Sequence, residues 1–167
     1  MTVITFPIGA TLRKFAEVTA ASNVASLSVS NIPSNAEFVV FYYRFWNTDT
    51  SNDRHLYVQF NDNTGSVYRW CRKAILNGSS IDGEATDLTT LAYIGVASAN
   101  SPAVGTFVLN PEWGRGVSIM GQARATGVWG VWYQRSDVAS ERVTKVTFAF
   151  NGANIKAGSK VIAYKAI

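Results

Sequence analysis

Short strand-like runs separated by turn residues dominate this chain and leave little room for a helical fold. Phe38 to Trp46 (FVVFYYRFW) is almost wholly apolar, as expected of a strand covered on both faces or central in a packed sheet. Leu56, Val58 and Phe60 alternate with Tyr57 and Gln59, the period of a half-buried strand. Asn61, Asp62, Asn63 and Gly65 follow, residue types that tolerate positive φ or bond their own backbone. Val67, Tyr68 and Trp70 resume strand composition, so Leu56 to Trp70 reads as a β-hairpin with a long polar loop. Leu27 and Val29 alternate with serines before a break at Asn31-Ile32-Pro33-Ser34. A long loop is expected from Asn77 to Thr90, and further strands at 91–97, 106–109, 117–125, 128–134, 143–150 and 160–167. Val146, Phe148 and Phe150 alternate with Lys145, Thr147 and Ala149, and Asn151-Gly152 is a strong turn signal.

About nine or ten short strands without a βαβ rhythm, a repeat or a linker predict one all-β domain, an antiparallel β-sandwich of jelly-roll-like character. The sandwich is placed at 23–167, and residues 1–22 form an N-terminal arm or a short helix. Thr11 to Ala21 (TLRKFAEVTAA) is the best helical segment, with Leu12, Phe15 and Val18 loosely on one face. A chain of 167 residues buries about 70% of its unfolded surface and needs no staple. The lone Cys71 forms no internal disulfide and supports no Cys metal cluster, so a buried inert thiol is expected. Residues 2–8 are too short, and too broken by Pro7, for a signal peptide, and no run approaches a membrane span.

Only 16% of residues are charged, against an average of about 25%, which hints that other subunits cover part of the surface. The net charge is +4, but the basic residues are scattered, with Arg69, Arg72 and Lys73 the densest group and Arg13-Lys14 a smaller pair. Nucleic-acid binding would need a continuous basic stripe. A modest basic balance suits docking on an acidic assembly or an anionic glycan.

No catalytic motif stands out. His55 is the only histidine and no nucleophile-elbow sequence accompanies it, so it reads as a strand-edge surface residue. The acids fall mostly in loops, and no carboxylate pair suggests glycoside hydrolysis. Asn61, Asp62 and Asn63 lack the ligand spacing of a calcium loop and read as a hydrogen-bonded turn. No cofactor or metal is expected, and the chain is read as a non-enzyme.

Aromatic residues carry the binding candidates: Trp113, Trp129, Trp132 and Tyr133, with Arg115 and Arg135 close by in sequence and able to fork onto carboxylates. On an alternating strand Trp129, Val131 and Tyr133 share one face, while Val128, Gly130 and Trp132 share the other. One tryptophan therefore sits away from the core unless both faces are covered. It lies in a subunit interface, stacks on a sugar ring, or belongs to a strand buried on both sides. Gly130 weakens that strand and suggests a bulge or a close backbone approach.

Four pieces of the chain resemble a family of small β-rich virion structural proteins of tailed bacteriophages. They are Ile32-Pro33-Ser34 leading into the apolar strand from Phe38, the loop Phe60-Asn61-Asp62-Asn63-Thr64-Gly65-Ser66-Val67-Tyr68, the late strand Val146-Thr147-Phe148, and Ala157-Gly158-Ser159 before the Ile162-Ala163-Tyr164 ending. The loop is similar to the family's Phe-Asn-Gly-Asp-Thr-Gly-Ser-Asn-Tyr, with Asp62 and Asn63 standing where Gly and Asp are usual and Val67 where Asn is usual. The resemblance implies a β-sandwich that works by binding on a virion, on the head, on a tail fibre or at a host-contacting tip. Its implied partners are other virion proteins, the major capsid or tail protein, and a homotrimer by analogy, with no nucleic acid and no membrane.

A head-decoration or cement role is the primary expectation, because the chain starts at Met and lacks the shaft of a typical fibre. Val3, Ile4, Phe6 and Ile8 would anchor the arm to the particle, their burial contributing about 25 cal/mol per Å². The alternative is a carbohydrate-binding receptor module that takes a host glycan on its exposed aromatics.

Overall fold

In the computed structural model the described residues are 11–64, 68–76, 79–88, 91–97, 99–112, 115–120, 128–136 and 142–166. They form twelve strands and no helix: β1 (Leu12–Thr19), β2 (Ser26–Val29), β3 (Val39–Phe45), β4 (Arg54–Phe60), β5 (Tyr68–Leu76), β6 (Ser79–Leu88), β7 (Leu91–Ala97), β8 (Ala103–Asn110), β9 (Arg115–Met120), β10 (Val128–Ser136), β11 (Val146–Phe150) and β12 (Lys160–Ala166). One sheet runs β1-β12-β3-β8-β9-β10-β5-β6 and the other β2-β11-β4-β7. All ladders are antiparallel.

Without β5, β6, β9 and β10, the two orders become β1-β12-β3-β8 and β2-β11-β4-β7. That is the interleaved pairing of an eight-stranded jelly roll, two four-stranded sheets face to face. The β5–β6 segment is inserted between β4 and β7, and the β9–β10 segment between β8 and β11. The two insertions pair through β10 and β5 and widen one sheet by four strands.

Between the sheets lies an aromatic core. Phe41, Phe45, Phe60, Phe107 and Phe148 are fully buried. Phe148 packs 5.8 Å from Phe41 and 5.4 Å from Phe45, and Phe107 lies 5.9 Å from Phe41 and 6.3 Å from Phe60. Ring pairs in this range add about 0.5–1.5 kcal/mol each beyond their burial. The expected alternation in β11 holds: Val146, Phe148 and Phe150 are core residues, while the Thr147 hydroxyl lies 2.9 Å from that of Ser28 on the neighbouring strand. At Gly95 the sheets approach so closely that a Cβ there would lie 2.8 Å from Ala103 Cβ.

Several expectations are corrected. Leu56 to Trp70 is not a hairpin: β4 pairs with β11 and β7 in the smaller sheet, and β5 pairs with β10 and β6 in the larger. Asn61 and Asp62 are both left-handed, with φ of 50° and 57°, and begin the connection that leads from one sheet to the other. The helical alternative for Thr11–Ala21 also fails, because Leu12–Thr19 is an edge strand on β12. A register shift between Lys14 and Ala16 leaves Phe15 and its neighbour Ala16 both packed on the core, as a bulge allows. The sandwich thus begins within the segment expected to be an arm. The loop expected at Asn77–Thr90 contains β6. Gly130 sits in regular register opposite Ala74 and Met120, without a bulge.

Three of the resembling pieces hold joints of the scaffold, through Ile32-Pro33, Asn61 and Gly158-Ser159, and the fourth, Val146-Thr147-Phe148, is part of the interior strand β11; residues 65–67 of the loop piece lie outside the described residues. Ile32 N donates to Thr144 O at 3.1 Å, and Arg142 donates to Pro33 O at 2.9 Å and Ala36 O at 2.8 Å. Asn61 binds the same 142–145 segment. At the opposite end Gly158 takes φ 85°, Gly158 N donates to Ala20 O, and Ala20 N donates to Ser159 O. The buried Ser159 Oγ accepts from Trp46 N at 3.0 Å. Asn61, Asp62 and Asn63 form the expected hydrogen-bonded turn, Asp62 pairing with Lys145 at 2.8 Å.

Candidate functional site

Core packing decides which residues the larger sheet presents outward. Val39, Phe41, Tyr43 and Phe45 of β3 are buried in the core, so strand alternation assigns Val40, Tyr42 and Arg44 to the other face. Val40 and its register partner Val108 are nevertheless buried, whereas Tyr42 is 46% exposed. Phe38–Trp46 is thus a central strand covered on both faces only at its start.

Around Tyr42 the outer face becomes aromatic and cationic. The Tyr42 ring meets Tyr164 of β12 edge-on, with centroids 5.6 Å apart at 88°. The Arg44 guanidinium lies 4.5 Å from the Trp46 ring centroid, a cation–π placement. Trp46 is fixed by its backbone, which donates to Ser159 Oγ and accepts from Lys156 N at 2.9 Å. Arg44 is the register partner of Lys160. Lys160 Nζ donates to Glu17 Oε1 at 2.7 Å, and Lys14 Nζ to Glu17 Oε2 at 3.1 Å. The Lys160 hydrogen bond, followed by that of Lys14, holds the Glu17 carboxyl below its ordinary pKa.

These side chains line a cavity of about 350 Å³, bounded by Tyr42, Arg44, Trp46, Gly158, Lys160 and Ile162. Among the described residues Arg44 has the Trp46 ring as its partner and no carboxylate. Its guanidinium therefore keeps donors for an incoming group. No group of metal-ligating side chains occurs among the described residues. His55 is exposed at the start of β4, and its carbonyl accepts from Asn151 N at 3.1 Å.

Five of the candidates read from sequence, Arg115, Trp129, Trp132, Tyr133 and Arg135, fall on the inserted strands β9 and β10 of the same sheet. Arg115 and Arg135 are direct register partners across β9 and β10, and Arg135 is also opposite Arg69 of β5. Tyr133 sits in register between Val117 and Cys71, and the row of register partners continues through Val108 to Val40. Trp132 sits opposite Ser118, which is opposite the core residue Phe107. Trp129 is opposite Ile75 in register. The side chains of Arg115, Trp129, Trp132, Tyr133, Arg135 and Cys71, together with Trp113 and the proposed anchor residues Val3, Ile4, Phe6 and Ile8, lie outside the described residues.

Tyr42, Arg44, Trp46 and Lys160 were not singled out by sequence. One signal was available: Arg44 is the only charge in an otherwise apolar nine-residue run, and a lone arginine two positions from both a tyrosine and a tryptophan marks an outward stripe.

Neither the protein-family models nor the curated proteins include a match to this chain.

Proposed function

We propose that this chain is a non-enzymatic structural protein of a tailed-bacteriophage virion, a capsid decoration or cement protein that works by protein–protein binding. The observation that carries this reading is the placement of the four family-like pieces. Three of them supply joints of the jelly roll and the fourth lies in its interior strand β11, and this architecture is common in viral particle proteins. The insertions then widen one sheet to eight strands and supply a broad face for a shell subunit. Residues 1–8 serve as the grip in this account. Purified protein added to particles that lack it should load, and a chain deleted for residues 1–8 should load poorly. Normal loading of the truncated chain would remove the arm from the account.

One observation favours a second reading, a carbohydrate-binding receptor module on a fibre or head spike. It is the cavity of about 350 Å³ lined by Tyr42, Arg44 and Trp46, an aromatic and cationic lining that suits a sugar ring better than a flat shell contact.

A further inference from the structure

The geometry points to a binding site for one acidic sugar residue, a pyranose carrying a carboxylate, at Tyr42, Arg44, Trp46 and Lys160. This rests on the receptor-module reading of the cavity and is independent of where the chain sits on a particle.

Arg44 supplies the acid recognition. Its guanidinium is held against Trp46 at 4.5 Å, so part of its side-chain freedom is already lost before a ligand arrives. The planar fork is suited to a carboxylate through two parallel hydrogen bonds. Charge complementarity reaches beyond Arg44. Lys160 is beside it in register, Lys14 lies beyond, and Glu17 is the one carboxylate bound to both lysines. The set Lys14, Glu17, Arg44 and Lys160 carries three positive charges against one negative, a net of +2. A neutral sugar offers Arg44 single hydroxyl acceptors and no counter-charge, whereas a carboxylate offers two oxygens to the fork together with the opposite charge.

Tyr42 and Ile162 supply the sugar recognition. Tyr42 is 46% exposed and braced edge-on by Tyr164, so it offers a fixed aromatic wall to the C–H face of a pyranose. A cavity near 350 Å³ lies at the small end for organic ligands, about 300–1,000 Å³, and matches one or two rings. A bare inorganic anion would leave the aromatic wall unused. An acidic peptide is disfavoured, because β3 and β12 are interior strands whose backbone groups are paired on both sides, leaving no edge for strand addition.

The test is calorimetric titration of the full chain with three probes: a glucuronate-terminated disaccharide, its glucose-terminated counterpart and sodium acetate. The glucuronate probe is expected to bind more than about tenfold tighter than either other probe, with affinity falling as salt rises. Arg44→Gln and Tyr42→Ala should each weaken binding by more than about tenfold, while Arg44→Lys, which keeps the charge and loses the fork, should fall between. Unchanged thermal unfolding of the variants separates a lost site from a lost fold. Equal binding of the neutral disaccharide, equal binding of acetate, no binding of the glucuronate probe, or retained binding in folded Arg44→Gln would each overturn the site. A chain that labels phage heads and binds no glucuronate keeps its decoration role and loses this site alone.

Discussion

Asn61 grips Lys145 from both its main chain and its side chain. Asn61 N donates to Lys145 O at 3.0 Å, and Asn61 Oδ1 accepts from Lys145 N at 3.1 Å. The same oxygen accepts from Thr144 N at 2.8 Å, and Nδ2 donates to Arg142 O at 3.0 Å. The residue leaving β4 is thereby tied to the residues entering β11, its neighbour in the smaller sheet. Asn61→Ala removes these side-chain bonds and leaves a left-handed alanine, so a loss of about 2–3 kcal/mol is expected in denaturant unfolding. Asn61→Asp keeps the acceptor and should lose less, about 1 kcal/mol. Equal stability of Asn61→Ala and the parent would show that the clamp contributes nothing.

The close approach at Gly95 gives a reciprocal prediction. An added methyl would meet Ala103 Cβ at 2.8 Å, and Gly95→Ala is expected to cost about 1–3 kcal/mol through overpacking. Combining it with Ala103→Gly should recover a large part of that loss, giving a coupling above about 0.5 kcal/mol in a double-mutant cycle. Additive losses would mean that the two residues do not meet.

Acid stability should depend on Asp49. Its Oδ1 accepts from Ser51 N at 2.9 Å and Asn52 N at 3.0 Å, and its Oδ2 accepts from Arg54 Nε at 2.8 Å. The Ser51 amide first, and then the Arg54 guanidinium, hold its carboxyl well below the ordinary value. Because the folded pKa lies below the unfolded one, the stabilisation is present above about pH 4 and fades as the pH falls further. The Tm advantage of the parent over Asp49→Asn should therefore be largest near neutral pH and shrink on acidification. A constant difference between about pH 7 and about pH 3 would contradict the assignment.

How far the sequence alone reached depended on whether the information was local. The β11 alternation was legible because Val146, Phe148 and Phe150 all enter the core. Membership of a sheet was not legible: Leu56–Phe60 and Tyr68–Leu76 both have strand composition, yet their partners are β11 and β10 respectively. Strand β6, SSIDGEATDL, was hidden by its polar and turn-forming residues. Strand β1 was hidden by the register shift at Phe15, which interrupts its two-residue period. The outer-face site was obscured for a similar reason, since Val40 is buried on the same side that exposes Tyr42. An apolar strand therefore concealed an exposed aromatic and cationic face.

The most direct measurement of the central claim is electron microscopy of purified phage particles labelled with an antibody to this chain. A decoration protein places regular label over the head. Unlabelled particles would contradict the virion assignment, and label confined to the tail tip would contradict the decoration role.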